Sequence, residues 1–339
     1  MAYVAGDQIL DDEYNNFLNG TTNGNYGINY IAGVGSGNLG LGQTELSAVS
    51  ASDTIQAGQW NSLFGFMDNV ANHTNVAVTS TAAVTAGDVI QIKAALNNNL
   101  QSLATAVQGG STAASGGLTT GGTDLTQAAS AVYDISHITE ASFTFASEDA
   151  TRFFFNAGGK LRLTFSNAAT NSTGKDSVVS QLITEIGAFT LGATASAVSG
   201  TLNTGGGNPD ILTTDGRGLG YFDLTTSYQT IILYTESSGT YDGSYDDLIQ
   251  IKIEAKTNAT GGVRGSNGTV ITLKVSFLIN DTVRTNYTVG NLAKVPAKME
   301  SCGPTSVLSS TIDPNTTEGL STVYTTITVA NVSNAISGD

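Results

Sequence analysis

Three segments in the first 108 residues place apolar side chains at the spacing of an amphipathic helix. In the second segment they fall at i, i+3, i+4 and i+7, as Trp60, Leu63, Phe64 and Met67. In the third they fall at i, i+4, i+8 and i+11, as Ile92, Leu96, Leu100 and Leu103. Both spacings gather the apolar residues on one helix face. The first segment begins with Asp11 and Asp12, which suit an N-cap and a first helical turn.

The same three segments share a short motif. Residues 6–9, 52–55 and 87–90 each read Gly or Ser, then Asp, any residue and Ile, and an apolar residue followed by Asn comes soon after. Such recurrence is typical of repeated units that bury their apolar faces against one another. The alternative is three unrelated helices that begin with similar turns. We predict a helical repeat region over residues 1–108 that serves attachment and oligomerisation.

Two glycine-rich stretches interrupt these patterns. Residues 20–42 carry eight glycines, and residues 109–122 carry six more with no charged residue. Stretches of Gly, Ser and Thr behave as flexible coil. We therefore predict an insert at 20–42 and a linker at 109–125 that ends the helical region.

From residue 126 onward the hydrophobic period changes from 3.6 to 2. The run RFFFNAGGKLRLTF at 152–165 reads as a β-hairpin, with Leu161, Leu163 and Phe165 on one side. A helix is predicted at 176–186, and further strands at 227–235, 247–256, 270–279 and 322–332. In the strand at 247–256, isoleucines alternate with Gln250, Lys252 and Glu254, which are expected to face solvent.

Strands with one apolar face are typical of antiparallel sheets. The chain is therefore predicted to be α+β and mainly β. A small helical repeat region is followed by an antiparallel β-sandwich-like region over 126–339, with room for two subdomains.

Charge divides the chain unevenly. Only 12% of the residues are charged, and the net charge is −15. Residues 1–151 hold thirteen acids and one base, Lys93, whereas residues 152–339 hold fifteen acids and twelve bases. Contacts to phosphate need Lys and Arg, so direct binding of nucleic acid by the first half is not expected.

The sequence offers few features of targeting or redox chemistry. Cys302 is the only cysteine, which excludes an intramolecular disulfide and a cysteine-based zinc site. The first residues lack a basic segment followed by an apolar one, and no run of about 18 apolar residues occurs. We expect neither a secretion signal nor insertion in a membrane.

Three patterns suggest chemistry but lack the residues it needs. Residues 35–40 match the glycine fingerprint of dinucleotide-binding folds without the helix and acid that should follow. His73 and His137 are the only histidines, and we interpret both as surface residues. The acidic run 242–247 could ligate calcium, but it lacks the ligand spacing of an EF-hand loop. We predict no catalytic residue, no metal and no cofactor, and hence no enzyme.

The best candidate for binding is the Gly, Asp and Thr-rich segment 201–220. A long loop in a compact domain is often functional, and Tyr221 and Tyr241 could present exposed rings beside it. The alternative is a surface loop without a function.

Several segments resemble structural virion proteins of tailed bacteriophages. They are GDQILDDEYNNFLN at 6–19, TIQAGQWNSL at 54–63, RFFFNAGGKLRLTFS at 152–166, LIQIKIEAKTN at 248–258 and VITLKVSF at 270–277. The similarity is to large tail-associated proteins of phages that infect marine and cyanobacterial hosts. The glycine-rich insert at 20–42 departs from that pattern.

The resemblance implies a non-enzymatic virion component in the tail, neck or fibre apparatus. It implies synthesis in the host cytoplasm, self-association, and other virion proteins as partners. The alternatives are a carbohydrate-binding adhesin module that contacts host-surface glycans, a head decoration protein and a tail-borne depolymerase. We further expect residues 1–108 to dock through the Trp60 stripe onto a less acidic partner, unless that stripe is internal core.

Overall fold

The structure is a computed structural model of the chain. It describes residues 11–20, 26–33, 45–51, 53–74, 76–79, 82–86, 93–108, 118–127, 136–156, 159–165, 174–202, 211–236, 247–259, 268–281, 297–304 and 327–337. Helices and antiparallel sheets both contribute, which confirms the α+β class. No helix in these ranges combines the length and apolar character needed to cross a membrane.

The amino-terminal part is helical, as predicted. Its helices are α1 (Asp11–Asn19), α2 (Ile28–Ala32), α3 (Ala57–Thr74) and α4 (Lys93–Gln108). Helix α2 lies inside the stretch 20–42, where its glycine content had predicted only an insert. It forms because Ile28, Ile31 and Ala32 are fully buried, and this burial outweighs the low helix propensity of the flanking glycines.

These four helices share one hydrophobic core. The stripe around Trp60 is buried, and the rings of Tyr14, Phe17 and Phe64 lie 5.2, 6.0 and 5.9 Å from that of Trp60. Leu96, Leu100 and Leu103 complete the core from α4. The stripe is therefore internal core of the helical part, which is the stated alternative to docking through it. Docking of the helical part onto a less acidic partner stays a prediction.

Gly27 sets how closely α1 and α2 approach. A Cβ atom there would lie 2.2 Å from the nitrogen of Gly20 and 2.3 Å from the carbonyl oxygen of Leu18. Only glycine leaves room for this contact, since real Cβ atoms essentially never come this close to another atom.

The described strands form two antiparallel sheets. The first has the order β1 (Leu118–Gln127), β10 (Ala297–Pro304), β3 (Lys160–Phe165), β4 (Phe189–Leu191) and β5 (Ser196–Val198). The second has the order β11 (Thr328–Ser337), β2 (Ser136–Thr144), β9 (Val270–Asp281), β8 (Asp247–Thr257), β7 (Gln229–Glu236) and β6 (Ile211–Asp215).

Both sheets and the helices α5 (Glu148–Asn156) and α6 (Gly174–Ile186) contribute to a second hydrophobic core. The predicted apolar face of β9 is buried, as Ile271, Leu273, Val275 and Phe277. Leu161 and Leu163 bury the predicted face of β3. Phe165 meets the ring of Phe277 edge-on at 5.5 Å, which brings the two sheets into contact.

The predicted hairpin at 152–165 is wrong in its first half, because residues 152–156 belong to helix α5. Ser147 precedes the helix, and its hydroxyl accepts a hydrogen bond from the Ala150 N–H at 3.0 Å. An N-cap serine followed by Glu148 and Asp149 favours a helix start, and Phe154 and Phe155 then bury their rings in the core.

Two further boundaries differ from the sequence prediction. Strand β1 starts at Leu118, so the second half of the predicted linker 109–125 pairs with β10 instead. The closing strand is β11 at Thr328–Ser337, shifted from the predicted 322–332, of which residues 322–326 lie outside the described ranges. In both cases sheet pairing decides the boundary, and local composition does not reveal pairing.

Candidate functional site

In the helical part, asparagine side chains hold passing backbone segments in place. The amide of Asn15 donates to the Val49 carbonyl at 2.8 Å and accepts from the Val49 N–H at 2.8 Å. Asn29 makes the same pair of bonds to Leu46, both at 2.9 Å. Each side chain therefore satisfies both polar backbone groups of one residue.

The two longer helices, α3 and α4, repeat the arrangement. Asn61 on α3 donates to the Val84 carbonyl at 3.0 Å and accepts from its N–H at 2.8 Å. Asn99 on α4 donates to the Thr79 carbonyl at 2.6 Å and accepts from its N–H at 3.2 Å. We call Asn15, Asn29, Asn61 and Asn99, each with its backbone partner, the asparagine clamps.

The clamps explain why the sequence motif contains an apolar residue followed by Asn. Tyr14 and Trp60, which precede the first and third clamping asparagines, are buried in the helical core. Helix α2 repeats this order as Ile28-Asn29, a match that the sequence motif missed. On α4 the motif pointed to Asn97, whereas the clamp uses Asn99, which is buried. The asparagine-anchored repeat is therefore built from four helices rather than three.

A second cluster of polar side chains lies on the face of β7–β9 that points away from the core. We call Tyr228, Lys252, Glu254, Lys256 and Lys274 the lysine face. The residues of β8 in this set alternate with the buried Ile251, Ile253 and Ala255, as strand geometry requires.

Glu254 is the centre of the lysine face. Its carboxylate oxygens lie 2.7 Å from the Lys252 ammonium and 3.0 Å from that of Lys274. Although predicted to face solvent, Glu254 is only 5% exposed, because the long lysine side chains cover it. Burial opposes its ionisation, but hydrogen bonds from the two lysines outweigh burial and hold the pKa of Glu254 below its usual value.

Tyr228 packs between two of the same lysines. The ammonium groups of Lys256 and Lys274 lie 4.2 and 4.7 Å from the centre of its ring, the range of cation–π contacts. The cluster therefore gathers three positive charges around one buried carboxylate and one aromatic ring. Such an arrangement can bind an anionic group.

The segment 201–220, predicted as a binding loop, is partly a strand. Residues 211–215 form strand β6 and pair with β7, and residues 203–210 lie outside the described ranges. Asp215 binds the Arg217 guanidinium, whose Nε lies 2.6 Å from the carboxylate. This hydrogen bond is the main reason that the pKa of Asp215 is lowered.

Tyr221 is also not an exposed ring. It is fully buried and stacks on Phe155 with their ring centres 4.4 Å apart and their planes nearly parallel. A ring in this position cannot stack on a glycan from outside. Tyr221 is core because it begins a short 3-10 helix, Tyr221–Asp223, whose backbone is bonded to residues 192 and 193.

The structure also corrects the interpretation of His137. Its side chain is 1% exposed on β2, on the core side opposite Phe277, and its Nε2 lies 3.2 Å from the Thr139 hydroxyl. His137 and Phe143 are six residues apart, so the alternation of side chains along β2 places both on the same side of the strand. The sequence alone contained this indication that His137 is buried. Cys302 lies on β10, paired with Thr120 and Lys160.

The other candidate positions lie outside the described residues. They are the side chain of His73, Tyr241, the glycine run 35–40 and the acidic run up to Asp246. Among the residues that the structure describes, no group of three or more His, Cys, Asp or Glu side chains could hold a metal ion.

Comparison of the chain with protein-family models, curated proteins and solved structures gives no match in any of the three.

Proposed function

We propose that the chain is a non-enzymatic structural component of a tailed-phage virion. It works as an oligomer in the tail, neck or fibre apparatus and is made in the host cytoplasm. The proposal includes an antiparallel sandwich arrangement of the two sheets, with the β-rich part projecting from the particle.

The observation that carries the proposal is the set of asparagine clamps. Two segments that resemble phage virion proteins contain Tyr14-Asn15 and Trp60-Asn61, and these residues build the helical core and its clamps. The amide groups of Asn15 and Asn61 form their hydrogen bonds with the chain's own backbone. Residues used in this way support a scaffold role for the region that carries the resemblance.

The sandwich arrangement is supported by the shared core of the β-rich part. Buried residues of β3 and β4 belong to the same cluster as those of β7, β8 and β9. Two antiparallel sheets that share one core are typical of sandwiches.

The test is the position of the protein in intact particles. Antibodies against residues 1–108 and against 118–337 are applied to purified particles and located with gold labels by electron microscopy. Antibodies against the β-rich part are expected to label the tail, neck or fibres. Particles from a phage that lacks the gene for this chain are the control.

Two outcomes contradict the proposal. One is that mass spectrometry of washed particles finds no peptide of the chain. The other is label confined to the head surface, which would instead favour a decoration protein.

A further inference from the structure

The helical part is strongly acidic, and nearly all of the bases lie in the β-rich part. Residues 1–108 hold eight acids and one base, whereas twelve of the thirteen bases lie between Arg152 and Lys298. On the helical part, Asp12 and Asp53 are exposed. Three of the bases lie together on the lysine face, around the carboxylate of Glu254.

The lysine face has positive charge left over for a partner. Glu254 neutralises one unit, and the registered pairing of β2 with β9 places Glu140 beside Lys274. Lys256 contacts the Tyr228 ring, an interaction that leaves its charge uncompensated. The face is therefore a positive patch on a protein with a net charge of −15.

The Tyr228 ring contacts two of these lysines. The ammonium groups of Lys256 and Lys274 lie 4.2 and 4.7 Å from its centre. A carboxylate that reaches this face would meet the ammonium group of Lys256 beside the ring.

We propose that the lysine face binds the acidic surface of the helical part of a second copy of the chain. Two helical parts repel each other because both are acidic, and two lysine faces repel for the corresponding reason. The complementary pairing is head to tail. A head-to-tail interface uses two different surfaces, so it builds rings or filaments rather than closed two-fold dimers.

This inference deepens the proposed function, on which it rests for its setting, because it names the surface through which copies associate in the virion. Association through this interface can be measured on the purified protein, without particles. It can therefore be tested apart from the location of the chain in particles.

The first experiment measures association of the full chain by sedimentation velocity. We expect the apparent dissociation constant to rise about tenfold between 0.1 M and 1 M NaCl, because the Debye length falls from about 10 Å to about 3 Å. The series starts at about 0.1 M because weaker screening lets the net negative charge of whole molecules dominate. A protein that stays monomeric throughout, or whose association ignores salt, overturns the proposal.

The second experiment changes one charge on the face. Lys256→Glu is expected to weaken association at least about tenfold, because it sets like charges against each other. Lys256→Gln is expected to weaken association by a smaller factor, and it replaces the glutamate variant if that variant fails to fold. Lys160→Glu on β3 makes the same change of net charge elsewhere and is the matched control. Equal weakening by the control shows that only net charge matters, which overturns the proposal.

The third experiment mixes two variants that are each defective. Lys256→Glu keeps a normal helical part, and the double variant Asp12→Lys and Asp53→Lys keeps a normal lysine face. Each alone is expected to associate at least about tenfold more weakly than the parent protein, whereas their equimolar mixture associates more strongly than either variant. Failure of the mixture to associate contradicts a head-to-tail interface. Binding of an anionic polysaccharide without self-association assigns the face to glycans and also overturns the proposal.

The results separate the two proposals. If the chain associates in a charge-dependent way but is missing from particles, only the proposed function is contradicted. If the chain is found in the tail but Lys256→Glu does not change its association, only the interface is contradicted.

Discussion

The clamping asparagines use a short side chain whose amide resembles a peptide group. One edge of that amide offers a donor and an acceptor at a spacing that matches the N–H and C=O of a single residue. A helix cannot otherwise pair with a neighbouring segment, because its own backbone groups are already bonded. Asn15, Asn29, Asn61 and Asn99 thus give helices a substitute for sheet pairing.

Replacing a clamp should destabilise the helical part. Asn99→Ala removes both bonds to the Thr79 backbone and is expected to lower the free energy of unfolding by about 1–3 kcal/mol. Urea unfolding followed by fluorescence of Trp60, the only tryptophan, measures it. The adjacent Asn98→Ala is the control, because Asn98 is exposed on the same helix. Equal effects of the two substitutions would contradict the clamp.

Tyr14 predicts a dependence on alkaline pH. Burial raises the pKa of Tyr14 to about 12 from 10.0, so the fold favours the neutral phenol. That contribution to stability is present below about pH 10 and is lost as the pH rises toward 12.

The measurement is helical circular dichroism between these two pH values. Tyr14→Phe keeps the ring against Trp60 and is expected to flatten the loss of helix signal. The same substitution at the half-buried Tyr26 is the control and should leave the loss unchanged. A Tyr14→Phe protein with the alkaline profile of the parent would show that Tyr14 is not the group responsible.

Glu254 predicts the corresponding dependence on acid. Its pKa is lowered from 4.5, so its contribution is present above about pH 4.5 and is lost as the pH falls through the lowered value. Glu254→Gln should reduce stability at neutral pH and weaken its decline in acid. The measurement is urea unfolding of the sheets at several pH values. Asp215→Asn, in an exposed ion pair, is the control and should change stability by no more than about 1 kcal/mol.

At the scale of elements, two glycines differ in how much space surrounds them. Gly65 lies on α3 with nothing within 4 Å of a Cβ atom built there, whereas at Gly27 such an atom would collide with backbone. Gly65→Ala should raise the free energy of unfolding by up to about 1 kcal/mol. Gly27→Ala should lower it by about 1–3 kcal/mol. Both are read from Trp60 fluorescence, and a stabilising Gly27→Ala would contradict the close approach of α1 and α2.

At the scale of the whole molecule, the two hydrophobic cores share no residue among those described. We therefore expect two unfolding transitions in urea, one reported by Trp60 and one by the sheet signal in circular dichroism. Asn99→Ala should move only the Trp60 transition. Coincident transitions that shift together would show that the cores unfold as one unit.

Local patterns were sufficient for much of the architecture. The helix stripes at Trp60 and Leu96, the helix at 174–186 and the apolar faces of β8 and β9 follow from periodicity. The clamps were only partly visible, since the motif contains the asparagines of α1 and α3 but not their partners. Val49 and Val84 lie 34 and 23 residues away along the chain, and spacing within a helix does not specify such contacts.

By itself the sequence determined the α+β class, helices α1, α3, α4 and α6, strands β3 and β7–β9, and the uneven charge of the two halves. Only the tertiary structure decided that RFFFN is helix, that residues 118–125 are strand, and that Tyr221 and His137 are buried. Periodicity records which face of an element is apolar, because burial selects side chains one element at a time. It does not record which element covers that face, since that depends on contacts between residues far apart in the chain.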